Sequence, residues 1–193
     1  MNICLYGASS TQLHTSYIIE TEKLGESIGK NGHTLVYGGG ANGLMGAAAR
    51  GVVKSGGDVI GIAPSFFKVD GVLFEECSEF IYTDTMRQRK QIMEEKADAF
   101  IVVPGGIGTF DEFFEILTLK QLGRHNKPIA VFNINGYYDS LINMLKTAVN
   151  EQFMNESCMD LAPIFTDAQM LIEYLENYKV EDYNFSKYKK VDV

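Results

Sequence analysis

A short apolar run that ends in a proline and closely spaced glycines most constrains how this chain can fold. Residues 99–103 are apolar throughout, as expected for a parallel strand that is buried on both faces. Pro104 ends the strand pairing because it has no amide hydrogen, and the glycines within residues 105–108 let the backbone turn sharply. From Phe110 the apolar residues follow a helical period. A strand, a glycine loop and a helix start, in this order, predict a site for an anion, most often a phosphate.

The same stretch has a second interpretation that needs no ligand. Thr109 and Glu112 have the spacing of a capping box, in which each side chain satisfies one of the free amides at the start of a helix. In that interpretation Glu112 has a structural role and no catalytic one. The rest of the chain has to decide between the two interpretations.

Apolar runs alternate with helical patterns along the chain, which predicts the α/β class with a doubly wound parallel sheet and helices on both faces. We expect a single domain over residues 1–178, followed by a C-terminal tail over residues 179–193 that is either frayed or packed on a partner. Glycine-rich or polar loops follow predicted strands at 7–10, 38–46 and 104–109. Ligands of this class bind beyond the carboxyl ends of the strands, so we expect these three loops to meet at one edge.

Breaking residues set several boundaries. Pro64 is expected to end the third strand, and residues 63–79 are expected to form an irregular loop. Residues 161–165 are expected to form the last strand.

Three cations lie at the start of a helix predicted over residues 86–96. Such a cluster is commonly a solvated surface, but Arg87, Arg89 and Lys90 are unfavourably placed against the positive end of the helix dipole. An anionic ligand or an acidic partner would remove this conflict. Arg89 keeps its charge at any physiological pH and can donate two hydrogen bonds to a phosphate or a carboxylate.

Composition excludes several classes of function. The net charge of -8 at pH 7 argues against binding to nucleic acid or to a membrane surface, because both use basic patches. No apolar run reaches the length of a membrane span. The three cysteines and three histidines lack the spacing of a disulfide framework or a metal site. We therefore expect no metal and a reducing, cytoplasmic location.

The second glycine loop raises a dinucleotide-binding alternative. Gly38, Gly40 and Gly43 match the pattern G-x-G-x-x-G after a predicted strand, and Asp58 follows Gly38 by about 20 residues. Asp58 precedes the next strand, however, whereas a ribose-binding carboxylate lies at the carboxyl end of a strand. These residues favour a site for a phosphate, and an NAD-binding module is an alternative.

The glycine loops and the cationic helix start match the motifs of a known family, in order. The matching segments are YGGGANGLMG over residues 37–46, MRQRK over residues 86–90 and PGGIGTFDE over residues 104–112. The last contains P-G-G-x-G-T-x-x-E without a gap. The chain resembles the LONELY GUY family of cytokinin-activating phosphoribohydrolases, which have long been labelled "lysine decarboxylases". Residues 7–10 and the segment Gly136-Tyr137-Tyr138-Asp139 match this family as well.

The resemblance implies a Rossmann-like fold, a homodimer, and no metal or organic cofactor. It implies hydrolysis of the N-glycosidic bond of an N6-substituted adenosine 5′-monophosphate, or of AMP itself, to free base and ribose 5-phosphate. The catalytic pair of the family falls on Arg89 and Glu112. The phosphate-binding positions fall on Gly105, Gly106, Gly108 and Thr109. The residues predicted to complete the substrate site are Ser9, Gly39, Gly40, Met86, Lys90 and Glu115.

Other members of this fold leave an alternative open. Molybdenum-cofactor carrier proteins share the fold and bind a phosphorylated pterin without hydrolysing it, so a non-catalytic carrier of a nucleotide or of that cofactor is the second interpretation. Lys120 stands where tryptophan is common in plant-like members, so the resemblance leaves the preference for the N6 group open. No lysine lies in a recognisable pyridoxal-phosphate motif, which argues against the decarboxylase label.

Overall fold

A seven-stranded sheet in which every strand pairing is parallel forms the centre of the structure, a computed structural model that describes residues 1–180 and Tyr188. The strands are β1 (Asn2–Tyr6), β2 (Thr34–Tyr37), β3 (Val59–Pro64), β4 (Glu79–Thr83), β5 (Ala99–Val102), β6 (Ile129–Phe132) and β7 (Ile164–Phe165). The helices are α1 (Thr15–Lys30), α2 (Gly43–Lys54), α3 (Met86–Lys96), α4 (Ile107–Gln121), α5 (Asp139–Asn150) and α6 (Ala168–Glu176). Short 3₁₀ helices cover Ser65–Phe67, Ile134–Gly136 and Glu156–Leu161. The predicted α/β class, with a doubly wound, Rossmann-like sheet, is confirmed.

The order of the strands creates a crevice in the middle of the sheet. Across the sheet the order is β4-β3-β2-β1-β5-β6-β7, so β1 lies between β2 and β5. The chain winds outward to one side from β1 to β4 and to the other side from β5 to β7. Strand order therefore reverses between β1 and β5, and ligands of open α/β sheets bind at such a point.

Helices cover both faces because neighbouring strand residues point into two different apolar layers. On β1, Ile3 and Leu5 belong to the layer that α1, α2 and α6 form, whereas Cys4 and Tyr6 belong to the layer that α3, α4 and α5 form. All four side chains are buried. Burial on both faces is the reason why the strands are continuous apolar runs in the sequence.

Helices α1 and α2 pack against each other through glycines. A Cβ atom added at Gly25 would lie 2.2 Å from the carbonyl oxygen of Ala48, and one added at Gly51 would lie 2.1 Å from that of Glu22. Both distances are far below van der Waals contact, and the opposing atoms are backbone atoms that cannot rotate away. This close contact fixes α2, together with the glycine loop that precedes it, on the sheet.

The structure differs from the predicted elements in its boundaries. Helix α4 already begins at Ile107, before the apolar period starts at Phe110, because its first turn is built from exposed and small residues. Strand β3 continues through Pro64, which pairs with Thr83 of β4. The pairing of β3 with β2 has already ended at Gly61, so the missing amide of Pro64 is not needed on that side. The last strand is shorter than predicted because residues 156–161 form a 3₁₀ helix.

The predicted C-terminal tail falls mostly outside the described residues. Of residues 179–193 the structure describes Lys179, Val180 and Tyr188, so the boundary at residue 178 and the state of the tail stay predictions. The carbonyl oxygen of Tyr188 accepts a hydrogen bond from Nε2 of Gln121 at 3.2 Å. Over the described part of the chain, none of the helices combines the length and the apolar character that crossing a membrane requires.

Replacing Gly51 with alanine is expected to destabilise the fold, because the added methyl group has to push α1 and α2 apart. In an ordinary helix interior the same change stabilises by about 1 kcal/mol. Overpacking should instead lower the free energy of unfolding by about 1–3 kcal/mol, measured by urea unfolding. Lys23→Ala, on the exposed side of α1, is the control and should stay within about 0.5 kcal/mol of the wild type. A Gly51→Ala protein as stable as the wild type would contradict the close packing.

Candidate active site

A cavity of about 540 Å³ opens at the carboxyl edge of the sheet, where β1 and β5 end. The loops that follow β1, β2 and β5 all contribute to its wall, so the prediction that residues 7–10, 38–46 and 104–109 meet at one edge is confirmed. The segment between β3 and β4 and the starts of α3 and α4 complete the wall. The lining residues are Gly7, Ala8, Ser9, Ser10, Gly38, Gly40, Asn42, Met45, Phe67, Val72, Leu73, Met86, Arg89, Gly106, Gly108, Thr109 and Glu112.

The first turn of α4 has no cap. Gly106 occupies the N-cap position and has no side chain that could accept a hydrogen bond. The backbone N–H groups of Ile107, Gly108 and Thr109 donate to no acceptor in the described part of the chain. The hydroxyl of Thr109 also has no hydrogen-bond partner among the described residues. Free amides at a helix N-terminus and the helix dipole together form a site for an anion.

The capping-box interpretation of Thr109 and Glu112 is wrong. Thr109 is the third residue of α4 and not its N-cap, because the helix begins at Ile107. The carboxylate of Glu112 reaches Arg89 instead of a backbone amide. Neither side chain is therefore used to satisfy the start of the helix.

Arg89 and Glu112 form a buried ion pair in the wall of the cavity. Nη1 of Arg89 donates to Oε1 of Glu112 at 2.8 Å, and both side chains are 9% exposed. Nε of Arg89 donates to the carbonyl oxygen of Ile62 at 3.2 Å, which holds the guanidinium from the side of β3. Oε2 of Glu112 accepts no hydrogen bond from any residue that the structure describes. One carboxylate oxygen is held, and the other is left for a ligand.

A glycine makes room for this ion pair. A Cβ atom added at Gly38 would lie 2.0 Å from Nη2 of Arg89, so any side chain at this position would displace the guanidinium. The first glycine of the G-x-G-x-x-G pattern thus leaves the space that the Arg89 guanidinium occupies in the ion pair. Asp58, the acidic residue of the dinucleotide interpretation, precedes β3 at the opposite edge of the sheet and accepts a hydrogen bond from Ser78. The structure therefore gives the NAD alternative no support.

Burial raises the pKa of the Glu112 carboxyl above its ordinary value, and the neighbouring Arg89 guanidinium opposes that change. Removing a carboxylate from water disfavours its charged form, whereas a cation in contact with it favours that form. The weaker contributions of Asp111 and Lys90 have opposite signs. Arg89 is the main reason why a carboxyl in this position can stay ionised.

The cavity collects most of the residues that the sequence predicted, but not all of them. Those in its wall are Ser9, Gly40, Met86, Arg89, Gly106, Gly108, Thr109 and Glu112. Gly39 and Gly105 belong to the backbone of the same loops without lining the cavity. Gly39 has a φ of +75° and faces the ring of Phe80, and the carbonyl oxygen of Gly105 accepts a hydrogen bond from Tyr137.

Lys90 and Glu115, which were predicted to bind substrate, do not line this cavity. Nζ of Lys90 lies 2.6 Å from Oε2 of Glu115 and 3.0 Å from Oδ2 of Asp111. The three side chains border a separate, open cleft along the outer face of α4. The reason is the helical period, because Lys90 follows Arg89 by one residue and so points about 100° away from it.

The prediction missed the apolar part of the wall. Met45 comes from α2, and Phe67, Val72 and Leu73 come from the segment between β3 and β4 that was predicted only as an irregular loop. Two backbone hydrogen bonds tie this segment to the second glycine loop, from Ala41 N–H to the Val72 carbonyl and from Phe74 N–H to the Gly39 carbonyl. No periodic pattern marks such residues. The length of the loop was the available signal, because long loops in small domains are often functional.

Lys120 lies away from the cavity. Its Nζ donates to the carbonyl oxygen of Leu161 at 3.1 Å and lies 4.9 Å from the ring centre of Tyr178. Burial lowers the pKa of this lysine to about 8. The residue that stands in place of the family's tryptophan therefore does not shape this cavity. In residues 1–180, no group of His, Cys, Asp and Glu side chains has the arrangement of a metal site.

Comparison with known proteins agrees with this geometry. A family model described as "Possible lysine decarboxylase" matches residues 45–175. A cytokinin riboside 5′-monophosphate phosphoribohydrolase of Arabidopsis thaliana is 38% identical over 176 residues, which are 91% of this chain and 83% of the relative. A probable enzyme of the same name from Oryza sativa subsp. japonica is 37% identical over 175 residues, 91% of this chain and 83% of the relative.

Solved structures show the same fold at lower identity. A molybdenum cofactor carrier protein from Chlamydomonas reinhardtii superposes with a TM-score of 0.69 at 20% identity, over 91% of this chain and 95% of that one. The molybdenum cofactor binding protein from Rippkaea orientalis gives a TM-score of 0.65 at 23% identity, over 91% of this chain and 93% of that one. At these identities the likeness concerns the fold alone.

The fold and the site define a Rossmann-like α/β protein with free amides at a helix terminus beside a buried arginine–glutamate pair. Within that class, the matching family model and the similar relatives identify the family of this chain. The chain belongs to the LONELY GUY family, the family that carries the older lysine decarboxylase description.

Replacing Arg89 with methionine is expected to raise the pKa of Glu112 further, because the cation that opposes the effect of burial is lost. Carboxyl ¹³C chemical shifts across a pH titration measure this pKa directly. The folded variant then binds a proton more tightly than the unfolded chain, so its free energy of unfolding should fall as pH rises through the two pKa values.

Arg87→Met is the matched control, because Arg87 is exposed on the same helix and lies outside the cavity. It should leave the Glu112 titration in place. A Glu112 pKa that is the same in wild-type and Arg89→Met protein would show that the ion pair does not control this carboxyl.

Proposed function

We propose that this chain hydrolyses the N-glycosidic bond of an N6-substituted adenosine 5′-monophosphate, with release of the free base and ribose 5-phosphate. The observation that carries the proposal is that a buried ion pair and free helix amides share the wall of one cavity. Glu112 lies about one helical turn after the free amides of α4, and Arg89 of α3 pairs with it. Relatives that are 36% to 38% identical and named for this reaction support it.

The start of α4 is suited to the 5′-phosphate. The amides of residues 107–109 and the Thr109 hydroxyl are donors without partners in the described chain. Glu112 follows Thr109 by three residues, which is about 4.5 Å along the helix axis. A phosphate bound at the helix terminus would therefore place the sugar of the same nucleotide beside the carboxylate.

The opposite part of the wall is suited to the base. Its side chains are mainly apolar and come from different elements, namely Met45, Phe67, Val72, Leu73 and Met86. The cavity volume of about 540 Å³ lies in the range of pockets for small molecules. A purine ring and an alkyl group on its exocyclic nitrogen would both find apolar contacts here.

Glu112 supplies the chemistry in this proposal. Departure of the base breaks the C1′–N9 bond with both electrons going to the base, so positive charge develops on the ribose as it does in glycoside hydrolysis. The Glu112 carboxylate stabilises that charge, and its free oxygen accepts a proton from the attacking water. The water oxygen bonds to C1′, the departing base takes a proton from solvent, and Glu112 returns the proton of the attacking water to solvent.

Arg89 has a positioning role in the same proposal. A guanidinium cannot donate its proton at neutral pH, so Arg89 is not a general acid. It holds one oxygen of Glu112 and favours the ionised form of that carboxyl. It also places a fixed positive charge in the wall of a cavity that takes a phosphate ester.

The outer face of α4 supports a homodimer as the working unit. Ile107 is 87% exposed there, beside Phe110 and Phe114. A second copy that covers this face would bury these side chains, and a monomer in analytical ultracentrifugation would contradict the proposal.

Cys4, Cys77 and Cys158 are all free thiols, which supports a reducing compartment such as the cytoplasm.

Incubation with AMP and with isopentenyladenosine 5′-monophosphate, followed by chromatography of the free base, tests the proposed reaction. Glu112→Gln is expected to lower turnover by about 10²–10⁴-fold, because an amide can neither accept the proton nor stabilise the cation as a carboxylate does. Glu151→Gln, the same substitution at an exposed residue outside both the cavity and the outer face of α4, should keep its turnover. A Glu112→Gln enzyme with wild-type turnover would remove this carboxylate from the mechanism.

The same assay separates the non-catalytic carrier from the enzyme. A carrier would bind the nucleotide and return it unchanged, and no free base would form in the wild-type reaction. The carrier alternative is supported by likeness of fold alone, whereas the free carboxylate oxygen beside the anion site favours hydrolysis.

Phe67 is expected to set the preference for an alkylated base, because its ring lies in the apolar wall. Phe67→Ala should lower kcat/KM for isopentenyladenosine monophosphate about tenfold more than kcat/KM for AMP, as one lost apolar contact typically does. Phe66→Ala is the matched control, since Phe66 is the adjacent phenylalanine, its ring is tilted by 46° against that of Phe67, and it does not line the cavity. Equal losses with both substrates would assign the base to another part of the wall.

A further inference from the structure

The turn after β6 reaches the glycine loop through a single side chain. Oη of Tyr137 donates a hydrogen bond to the carbonyl oxygen of Gly105 at 2.5 Å. Among the residues that the structure describes, this hydroxyl is the one partner of the Gly105 carbonyl. The contact lies in a second cavity of about 240 Å³, behind the glycine loop, that both residues line.

This hydrogen bond controls the direction of an amide on the other side of the loop. The peptide between Gly105 and Gly106 is trans and planar, so its C=O and N–H point in opposite directions. The Gly105 carbonyl accepts from Tyr137 in the second cavity, and Gly106 lies between the two cavities and lines both. Its N–H is therefore directed away from Tyr137. Because both residues are glycines, nothing in their own side chains prevents this peptide from rotating.

The ring of Tyr137 is itself held in place. It meets the rings of Tyr17 and Tyr138 edge-on, with centroid distances of 6.3 Å and 5.0 Å. Within the turn, Oδ1 of Asn133 accepts the Tyr138 backbone N–H at 2.7 Å, and Nδ2 of Asn133 donates to Asp139 at 2.8 Å. The turn is thus a rigid support for the hydroxyl.

We propose that Tyr137 is a positioning residue for the substrate's phosphate. Its hydroxyl holds the Gly105–Gly106 peptide so that the Gly106 N–H, which has no acceptor among the described residues, donates to the same anion as the free amides of α4. This inference rests on the proposed function, in which those amides bind the 5′-phosphate. Tyr137 touches neither the sugar nor the base in this arrangement, so it acts through the backbone that it orients.

Tyr137→Phe in the full chain tests the inference, with isothermal titration of ribose 5-phosphate and steady-state kinetics on isopentenyladenosine monophosphate. Loss of one hydrogen bond should weaken ribose 5-phosphate binding and raise KM by about threefold to tenfold, with kcat nearly unchanged. Binding of adenosine, which has no phosphate, should not change. The ring of Tyr137 is 41% exposed, so removal of its hydroxyl should leave the fold intact.

Tyr138→Phe is the matched control. The hydroxyl of Tyr138 donates to the carbonyl oxygen of Val103 at 2.8 Å, in the buried end of the same loop and away from the Gly105–Gly106 peptide. This variant should unfold at a lower temperature than the wild type while it binds ribose 5-phosphate with wild-type affinity. The two variants remove the same chemical group from adjacent residues, so they separate positioning from general stability.

The outcomes distinguish the inference from the function on which it rests. Wild-type affinity for ribose 5-phosphate in Tyr137→Phe would overturn the positioning role and leave the proposed reaction standing. An equal loss of affinity for adenosine would also overturn it, because the effect would then not concern the phosphate. If the wild-type chain neither binds ribose 5-phosphate nor releases free base, the proposed function fails and the inference fails with it.

Discussion

The buried contact between Arg89 and Glu112 joins the two halves of the site. The arginine comes from α3 and is held by β3, and the glutamate comes from α4, which follows β5. Two charges removed from water are costly unless they are paired, so each residue depends on the other for its place in the wall. The glycine at position 38 is part of the same arrangement, because the guanidinium occupies the space that any side chain there would need. The hydrogen bond between Arg89 and Glu112 therefore depends on the order of the strands, on the glycine in the loop after β2 and on the pairing of the two charges.

Backbone groups and side chains have different roles in this cavity. The helix terminus offers donors that are fixed by the fold and carry no titratable group, which suits a phosphate whose position must not vary with pH. In the reaction that we propose, the Glu112 carboxyl has to be ionised, and its pKa is raised by burial and lowered by the charge of Arg89. Because the two functions use different parts of α4, substitutions can weaken one while they leave the other.

Sequence reasoning reached the fold, the loops at the sheet edge and the ion pair because each has a local signal. Apolar runs indicate buried strands, glycines after a strand indicate a ligand loop, and cations at a helix start indicate an anion. It failed where position depends on rotation about a helix. Lys90 and Glu115 are close in sequence to Arg89 and Glu112, and yet they border another cleft. It also failed for Phe67, because nothing periodic marks a loop residue that becomes part of a wall only after the chain has folded.

The apolar part of the cavity wall and the start of α4 are attached to the rest of the protein in different ways. This difference determines which of their residues can be substituted. The helix terminus and the ion pair are joined to the central strands and leave little freedom for substitution. The segment that carries Phe67, Val72 and Leu73 is joined to the second glycine loop by backbone hydrogen bonds, which do not depend on the identity of these three side chains, and its buried anchor in the core is a different residue, Phe74. These three residues can therefore be exchanged without disturbing the carboxylate or the free amides. In the function that we propose, such a site could change the base that it accepts while the reaction at Glu112 stays the same.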